Sequence, residues 1–205
     1  MPRLCGVILA AGASSRMGTD KALLAWPPDA SNKSETFLSA AIHAFSEFND
    51  LVLVVAGKNA ANITPVVDAN GAFLVINPEP ERGQFSSLRC GLQEVLNRGC
   101  DAAMITLVDR PPVQASTLEK LFTEFADAVA RGKWAIVPEY RNNHGHPIVI
   151  GREMIEAFLK APSTDNARDV QHQNQEHIEY IPINDAFVAM NVDTPLDYAN
   201  LSSLK

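Results

Sequence analysis

The stretch Val7–Lys21, VILAAGASSRMGTDK, carries the densest chemistry in the chain. A short apolar run, Val7-Ile8-Leu9-Ala10, breaks into the small residues Ala11-Gly12-Ala13-Ser14-Ser15, and Arg16, Gly18 and Lys21 follow. An apolar strand opening into a donor-rich loop, with cations just beyond it, is suited to hold a polyphosphate. Glycine lets the backbone approach the ligand, exposed N–H groups bond its oxygens and the cations neutralise its charge. The spacing excludes two other phosphate loops. A dinucleotide turn reads G-x-G-x-x-G, but no glycine follows Gly12 until Gly18. A P-loop reads G-x-x-x-x-G-K-[ST], but here five residues separate the glycines and Lys21 lies three beyond the second.

Such a site needs carboxylates for a metal. Asp109 follows the apolar run Ala102–Val108. Mg2+ binds through one or two carboxylates together with phosphate oxygens and water, so Asp109 reads as a metal ligand. The plainer alternative is a turn residue capping the next helix. Asp193, in Asn191-Val192-Asp193-Thr194-Pro195, can be a cap where the last helix starts, and Asp197 reads as surface helix. His144-Gly145-His146-Pro147 offers two imidazoles without a carboxylate or thiol at ligand spacing, which is weak evidence for zinc. Gly83-Gln84-Phe85-Ser86-Ser87 reads as a turn opening a helix, with Ser86 a candidate N-cap.

These groups must be positioned by the elements between them. Candidate strands are Val7–Ala10, Leu51–Ala56, Phe73–Ile76, Ala102–Val108, Trp134–Val137, Pro147–Ile150 and Ile178–Ile183. Several are near-continuous apolar runs, as expected of strands buried on both faces. Helical faces are formed by Leu38, Ala41, Ile42 and Phe45, by Leu88, Leu92, Val95 and Leu96, and by Leu118, Leu121, Phe122, Phe125 and Val129. Ser116 with Glu119 predicts a capping box. The alternation predicts a Rossmann-like three-layer α/β/α fold with a mostly parallel central sheet, a single domain over residues 1–205. Ligands of such sheets bind beyond the carboxyl ends of the strands, which places the loops after Ala10 and Val108 on one edge. The polar insert Pro27–Glu35 reads as a solvated loop.

Bulk properties bound the function. The chain of 205 residues has a formal net charge of −7, so nucleic-acid binding has no electrostatic support and cations must be concentrated locally. There is no secretory signal pattern and no run long enough to span a membrane, which predicts a cytoplasmic protein. Cys5, Cys90 and Cys100 lack C-x-x-C spacing and are expected to be reduced thiols.

The ungapped order L-A-A-G-x-S-x-R-M-G-x-x-K at Leu9–Lys21 resembles the signature of the MobA-like nucleotidyltransferases, and most of all the branch that joins CTP to molybdopterin. The resemblance runs from Leu4 to Tyr198. It implies nucleotide contacts from Leu9, Ala10, Ala11, Gly12, Ser14, Ser15 and Gly18, with Arg16 and Lys21 on the β- and γ-phosphates. It implies a metal, Mg2+ or Mn2+, held by Asp109 and Asp193. Asn77, Gly83, Ser86 and Ser87 would hold the base or the acceptor phosphate, and His146 and Arg168 would face the acceptor. Ala11, where the GTP-using branch tends to glycine, narrows the base pocket and favours CTP over GTP. Arg110 stands where the family has Gln or Thr, and Asn166 where it has glycine; Arg110 can bind a substrate phosphate, pair with Asp109 or face solvent. The implied reaction transfers a nucleoside monophosphate to the phosphate of molybdopterin and releases pyrophosphate, with a molybdoenzyme as a possible downstream partner. The alternatives are the same chemistry on a sugar or alcohol phosphate, and a non-catalytic chaperone that binds nucleotide or cofactor.

Overall fold

A computed structural model describes residues 3–203 apart from 13, 15 and 30–34. In chain order the elements are β1 (Leu4–Leu9), α1 (Phe37–Ser46), β2 (Leu51–Ala56), α2 (Ala60–Ala69), β3 (Phe73–Ile76), α3 (Gln84–Asn97), β4 (Ala102–Leu107), α4 (Ala115–Ala130), β5 (Ala135–Tyr140), β6 (Asn143–His144), β7 (Ile148–Gly151), α5 (Arg152–Lys160), α6 (Ala167–Gln173), β8 (Ile178–Pro182) and α7 (Pro195–Asn200). The eight strands form one sheet in the order β3-β2-β1-β4-β7-β5-β6, with β8 paired to β5. Strands β1 to β4 are mutually parallel, and β5 pairs with β8 in parallel. The sheet is mostly parallel, as the alternation predicted, but β7 runs antiparallel to both β4 and β5.

Alternation along β1 shows why the sheet is covered on both faces. Leu4 and Ile8 point into a core with Leu38, Ile42 and Phe45 of α1, Ile63 and Val67 of α2, and Leu118, Leu121 and Phe125 of α4. Cys5, Val7 and Leu9 point the other way, to Leu88, Leu92 and Val95 of α3 and Met154, Ile155 and Phe158 of α5. Successive side chains of a strand face opposite sides, so an all-apolar β1 requires two cores. Gly91 lets α3 settle on the sheet, since a Cβ there would stand 2.9 Å from a Val55 methyl and 3.0 Å from one of Val7. Because β2 and β3 extend from one side of β1 and β4 from the other, the crevice beyond β1 and β4 is the topological switch point.

Three local expectations are corrected. Helix α4 starts at Ala115, which leaves Ser116 inside its first turn, and its N-cap Gln114 makes no side-chain cap. The cap comes instead from Asp185, 4% exposed, whose Oδ2 accepts the Gln114 N–H at 2.9 Å and the Thr117 hydroxyl at 3.0 Å. Helix α3 has Gly83 at its N-cap, with φ +91°, and Ser86 sits in the first turn donating to the Gly83 carbonyl at 2.7 Å. Cys5 and Cys100 are joined in a disulfide, leaving Cys90 as the free thiol. The parallel register that pairs Leu4 with Ala102 brings these two cysteines to the same end of neighbouring strands. The centre of the insert, residues 30–34, lies outside the described residues, and its base is closed where Trp26 N–H donates to the Glu35 carbonyl at 2.9 Å.

Candidate active site

A cavity of about 910 Å³ opens at the switch point. The loop after β1 lines it with Leu9, Ala11, Gly12, Ser14, Gly18 and Lys21. Lys58 and Asn59 come from the β2–α2 connection and Asn62 from the start of α2, Pro80 and Gly83 from the β3–α3 connection and Gln84 and Ser87 from the start of α3, and Leu107 to Asp109 from the end of β4. Four strand ends thus converge on it, as the sheet rule requires.

The loop after β1 is built by its own polar atoms. Ser14 takes a left-handed conformation, φ +48°, and its carbonyl accepts the Met17 N–H at 3.0 Å while its hydroxyl accepts the Lys21 N–H at 3.1 Å. Gly18, at φ +75°, completes the turn. Gly12 differs: its φ is not left-handed, and among the described residues a Cβ there would meet no atom within 4 Å beyond its chain neighbours. Ser15 lies outside the described residues. Ala10 sits behind the loop, 1% exposed, with its carbonyl accepting the Asn59 amide at 2.9 Å.

The charged groups meet at one rim. Lys21, 8% exposed, places its Nζ 2.8 Å from Asp193 Oδ1 and 3.7 Å from Asp109 Oδ2. Arg16, exposed, donates from Nη2 to Asp193 Oδ1 at 3.1 Å. The hydrogen bond from Lys21, with the charges of Lys21 and Arg16, holds the Asp193 carboxyl below its ordinary pKa. The main chain brings the carboxylates together, since Val192 N–H donates to the Asp109 carbonyl at 2.8 Å. Asp197 is more than surface helix. It forms a capping box with Thr194 at the start of α7, and its Oδ2 accepts the N–H groups of Asp193 at 3.0 Å and Thr194 at 2.8 Å. Thr194, not Asp193, is therefore the N-cap, and the Asp193 carboxylate faces Lys21 and Arg16 instead.

These residues fit a divalent cation. Among the described residues Asp109 Oδ1 is buried without a hydrogen-bond partner, a costly arrangement unless another electropositive group meets it. Two hard carboxylates beside a phosphate loop suit Mg2+ or Mn2+, which complete their shells with phosphate and water oxygens. Among the described residues no cluster of three or more His, Cys, Asp or Glu forms a self-sufficient metal site, so the two histidines at 144 and 146 do not make one.

Several positioning residues carry no motif. Asn59 donates from Nδ2 to the Ala10 carbonyl at 2.9 Å and to Asp20 Oδ2 at 2.8 Å, and its Oδ1 accepts the Gly57 N–H at 3.2 Å. Asp20 in turn caps the short 3₁₀ turn Lys21–Leu23. A Cβ at Gly57 would stand 2.9 Å from the Ala11 carbonyl and 2.9 Å from Pro80, so three loops meet over it. The signal for Gly57-Lys58-Asn59 was their place after the run Leu51–Ala56, on the same sheet edge as Gly12. Asn77, 4% exposed, is internal: its amide donates to the hydroxyls of Ser86 and Ser87, both at 2.9 Å, tying β3 to α3. Of this group only Ser87 and Gly83 reach the cavity.

A second cavity of about 300 Å³ is lined by Arg110, His144, Gly145, His146, Arg168, His172 and Tyr180 among others. Arg110 turns inward, donating from Nη1 to the Val188 carbonyl at 3.0 Å, with its Nε buried and unpartnered. Of the three readings of Arg110, the solvent-facing one is excluded. His146 Nδ1 lies 3.3 Å from the Ile105 carbonyl, so Nδ1 carries the proton and Nε2 is an acceptor. Burial, and then the Arg110 guanidinium, push its pKa down to about 3. Gly145 is obligatory, because a Cβ would collide with the Val188 carbonyl. Asn166, in the place of a glycine, caps α6 through the N–H groups of Arg168 and Asp169.

A parallel-sheet edge with a glycine-bordered loop and facing carboxylates suits a nucleotidyltransferase. The chain belongs to the family of the MobA-like NTP transferase domain, which matches residues 6–178. It is 23% identical over 193 residues to the molybdenum cofactor cytidylyltransferase of Escherichia coli K12, covering 94% of this chain and 92% of that one. It is 26% identical over 200 residues to nicotine blue oxidoreductase of Paenarthrobacter nicotinovorans, covering 95% and 94%. Among solved structures, Rv0371c of Mycobacterium tuberculosis H37Rv superimposes with a TM-score of 0.79 at 25% identity over 98% of this chain and 97% of that one. The same mycobacterial protein in complex with manganese gives 0.74 at 23%, with the same coverage.

Proposed function

We propose that the protein transfers CMP from CTP to the phosphate of molybdopterin, releasing pyrophosphate. The observation that carries this reading is the meeting of Lys21 and Arg16 with Asp109 and Asp193 at one rim of a glycine-bordered cavity. The acceptor's phosphate oxygen attacks the α-phosphorus, a new P–O bond forms, the bond to the β-phosphate oxygen breaks, and pyrophosphate leaves with that electron pair. The attacking phosphate is already anionic near neutral pH, so the chain need supply no nucleophile or strong base.

Its residues position the substrates and neutralise charge. The loop Leu9–Gly18 holds the triphosphate, Gly12 giving the closest approach. Lys21 and Arg16 take the charge that develops on the leaving pyrophosphate. Asp109 and Asp193 would hold Mg2+ or Mn2+, which supplies Lewis acidity to the phosphoryl oxygens when bound. The base lies between Ala11 and the β3–α3 connection, where the methyl of Ala11 favours a pyrimidine. The acceptor takes the second cavity, whose Arg110 directly follows Asp109 in the chain, whose Arg168 suits an anionic ligand and whose neutral His146 offers Nε2 as a hydrogen-bond acceptor. The reaction is placed in the cytoplasm, where nucleoside triphosphates are held; the Cys5–Cys100 bridge, 0% exposed, is closed to solvent thiols there.

Pyrophosphate release from CTP and from GTP, with Mg2+ and purified molybdopterin, tests the reading. Release with CTP alone supports it. Release with GTP alone refutes the base assignment, and silence with both in folded protein refutes the acceptor and turns attention to sugar or alcohol phosphates.

A further inference from the structure

Lys21 stands with its ammonium on a carboxylate rather than extended into the cavity beside it. The ammonium lies between the two proposed metal ligands, bonded to Asp193 Oδ1 at 2.8 Å and facing Asp109 Oδ2 at 3.7 Å. We propose that Lys21 is the resident counter-ion of this carboxylate pair, so that a divalent cation is admitted only as a nucleoside triphosphate draws the ammonium onto its phosphates. The inference rests on the reading of Asp109 and Asp193 as metal ligands.

A divalent cation bonds carboxylate oxygen at about 2.0–2.6 Å. On Asp193 Oδ1 it would share that oxygen with the ammonium, and the two positive charges would stand about one water molecule apart. The Lys21 side chain is only 10% exposed, so little solvent screens the repulsion. The metal therefore competes with a cation tethered to the site.

The tether also permits release. The Lys21 backbone is pinned by the Ser14 hydroxyl and by the turn that Asp20 caps, while the side chain is an unbranched stem with rotatable bonds. The same residue lines the cavity that Gly12 and Gly18 border. A triphosphate held there offers the ammonium a richer anion than one shared carboxylate. Asp193 Oδ1 also has Arg16 at 3.1 Å, so departure of the Lys21 ammonium does not by itself leave it bare. Metal and nucleotide then favour each other's binding by the same factor, as linkage requires.

The test measures Mn2+ binding to the intact protein by electron paramagnetic resonance, without nucleotide, in the wild type, Lys21→Met and Lys21→Gln. Two replacements are used so that a folding defect in one does not decide the result, and circular dichroism melts qualify each. The expected result is Mn2+ affinity about tenfold higher in the neutral variants than in the wild type. Adding Asp193→Asn to either variant should remove the gain. Equal or weaker Mn2+ binding in both folded variants overturns the inference, and leaves the metal site standing if Asp193→Asn still weakens Mn2+. If the wild type takes up no Mn2+ even with CTP, and Asp109→Asn and Asp193→Asn change nothing, the metal reading fails and this inference falls with it.

Discussion

Acid should destabilise this protein through His146 well before its carboxylates titrate. In the fold, burial and then the Arg110 charge bring the imidazole from an ordinary 6.5 to about 3, while in the unfolded chain it returns to its ordinary value. Between those values the unfolded state holds a proton that the folded state does not, so stability falls as pH falls through this window. At about 1.4 kcal/mol per pH unit the whole window is worth about 5 kcal/mol, of which about 2 kcal/mol is lost between pH 7 and pH 5. The assay is urea denaturation of the wild type and His146→Gln at pH 7, 6 and 5. Other groups titrate equally in both proteins and cancel in the difference. His146→Gln should lose about 2 kcal/mol less than the wild type from pH 7 to 5, although its stability at pH 7 is lower where packing is disturbed. Parallel pH dependences in the two proteins would refute the reasoning, and would mean that the imidazole protonates in the fold as freely as in the unfolded chain.

Three further outcomes are expected. Asp109→Ala should cut pyrophosphate release on the order of a hundredfold or more while the fold persists in circular dichroism, because the carboxylate's contacts with the protein are few: Oδ1 has no partner among the described residues, and Oδ2 has Lys21 at 3.7 Å. Asn59→Ala should lower kcat/KM for the nucleotide by about 10- to 100-fold through misplacement of the loop carrying Lys21, read in steady-state kinetics with circular dichroism confirming the fold. Asp185→Ala should cost about 1–3 kcal/mol in urea denaturation at pH 7, since it leaves the start of α4 and the Thr117 hydroxyl without their partner.

What the sequence declared and what it withheld follow from how local each cause is. The loop after β1 was legible as the border of a cavity because one contiguous stretch contains the strand, the glycines and the cations. Asp109 was legible because it ends an apolar run. Helices α1, α3 and α4 followed from 3.6-residue periodicity, whereas α2 carries Pro65 and a weak apolar face of Ile63 and Val67. The cap of α4 was not legible, since Asp185 lies 71 residues from Gln114. Serine and glutamate at the right spacing gave a false local signal there. The direction of β7 has no signature in Pro147–Ile150, because a strand buried on both faces looks the same in either orientation. The Cys5–Cys100 bridge depends on strand register. Arg110 was open because its two carbonyl partners belong to a segment distant in sequence, and the fold settles that it faces inward.

The linkage of Lys21 to Asp193 spans 172 positions, which gives the site a place in time as well as in space. Strands β1 to β4, with the whole of the phosphate loop and Asp109, are synthesised before residue 110. Asp193 follows Leu107, the end of β4, by 86 residues, roughly 4 to 17 s at translation rates of about 5–20 residues per second. During that interval a growing chain on the ribosome carries the walls of the nucleotide cavity and lacks its second carboxylate and the second cavity beside it. The pairing of the two carboxylates across Lys21, and the second cavity beside them, are completed only with the segment that closes over Asp109.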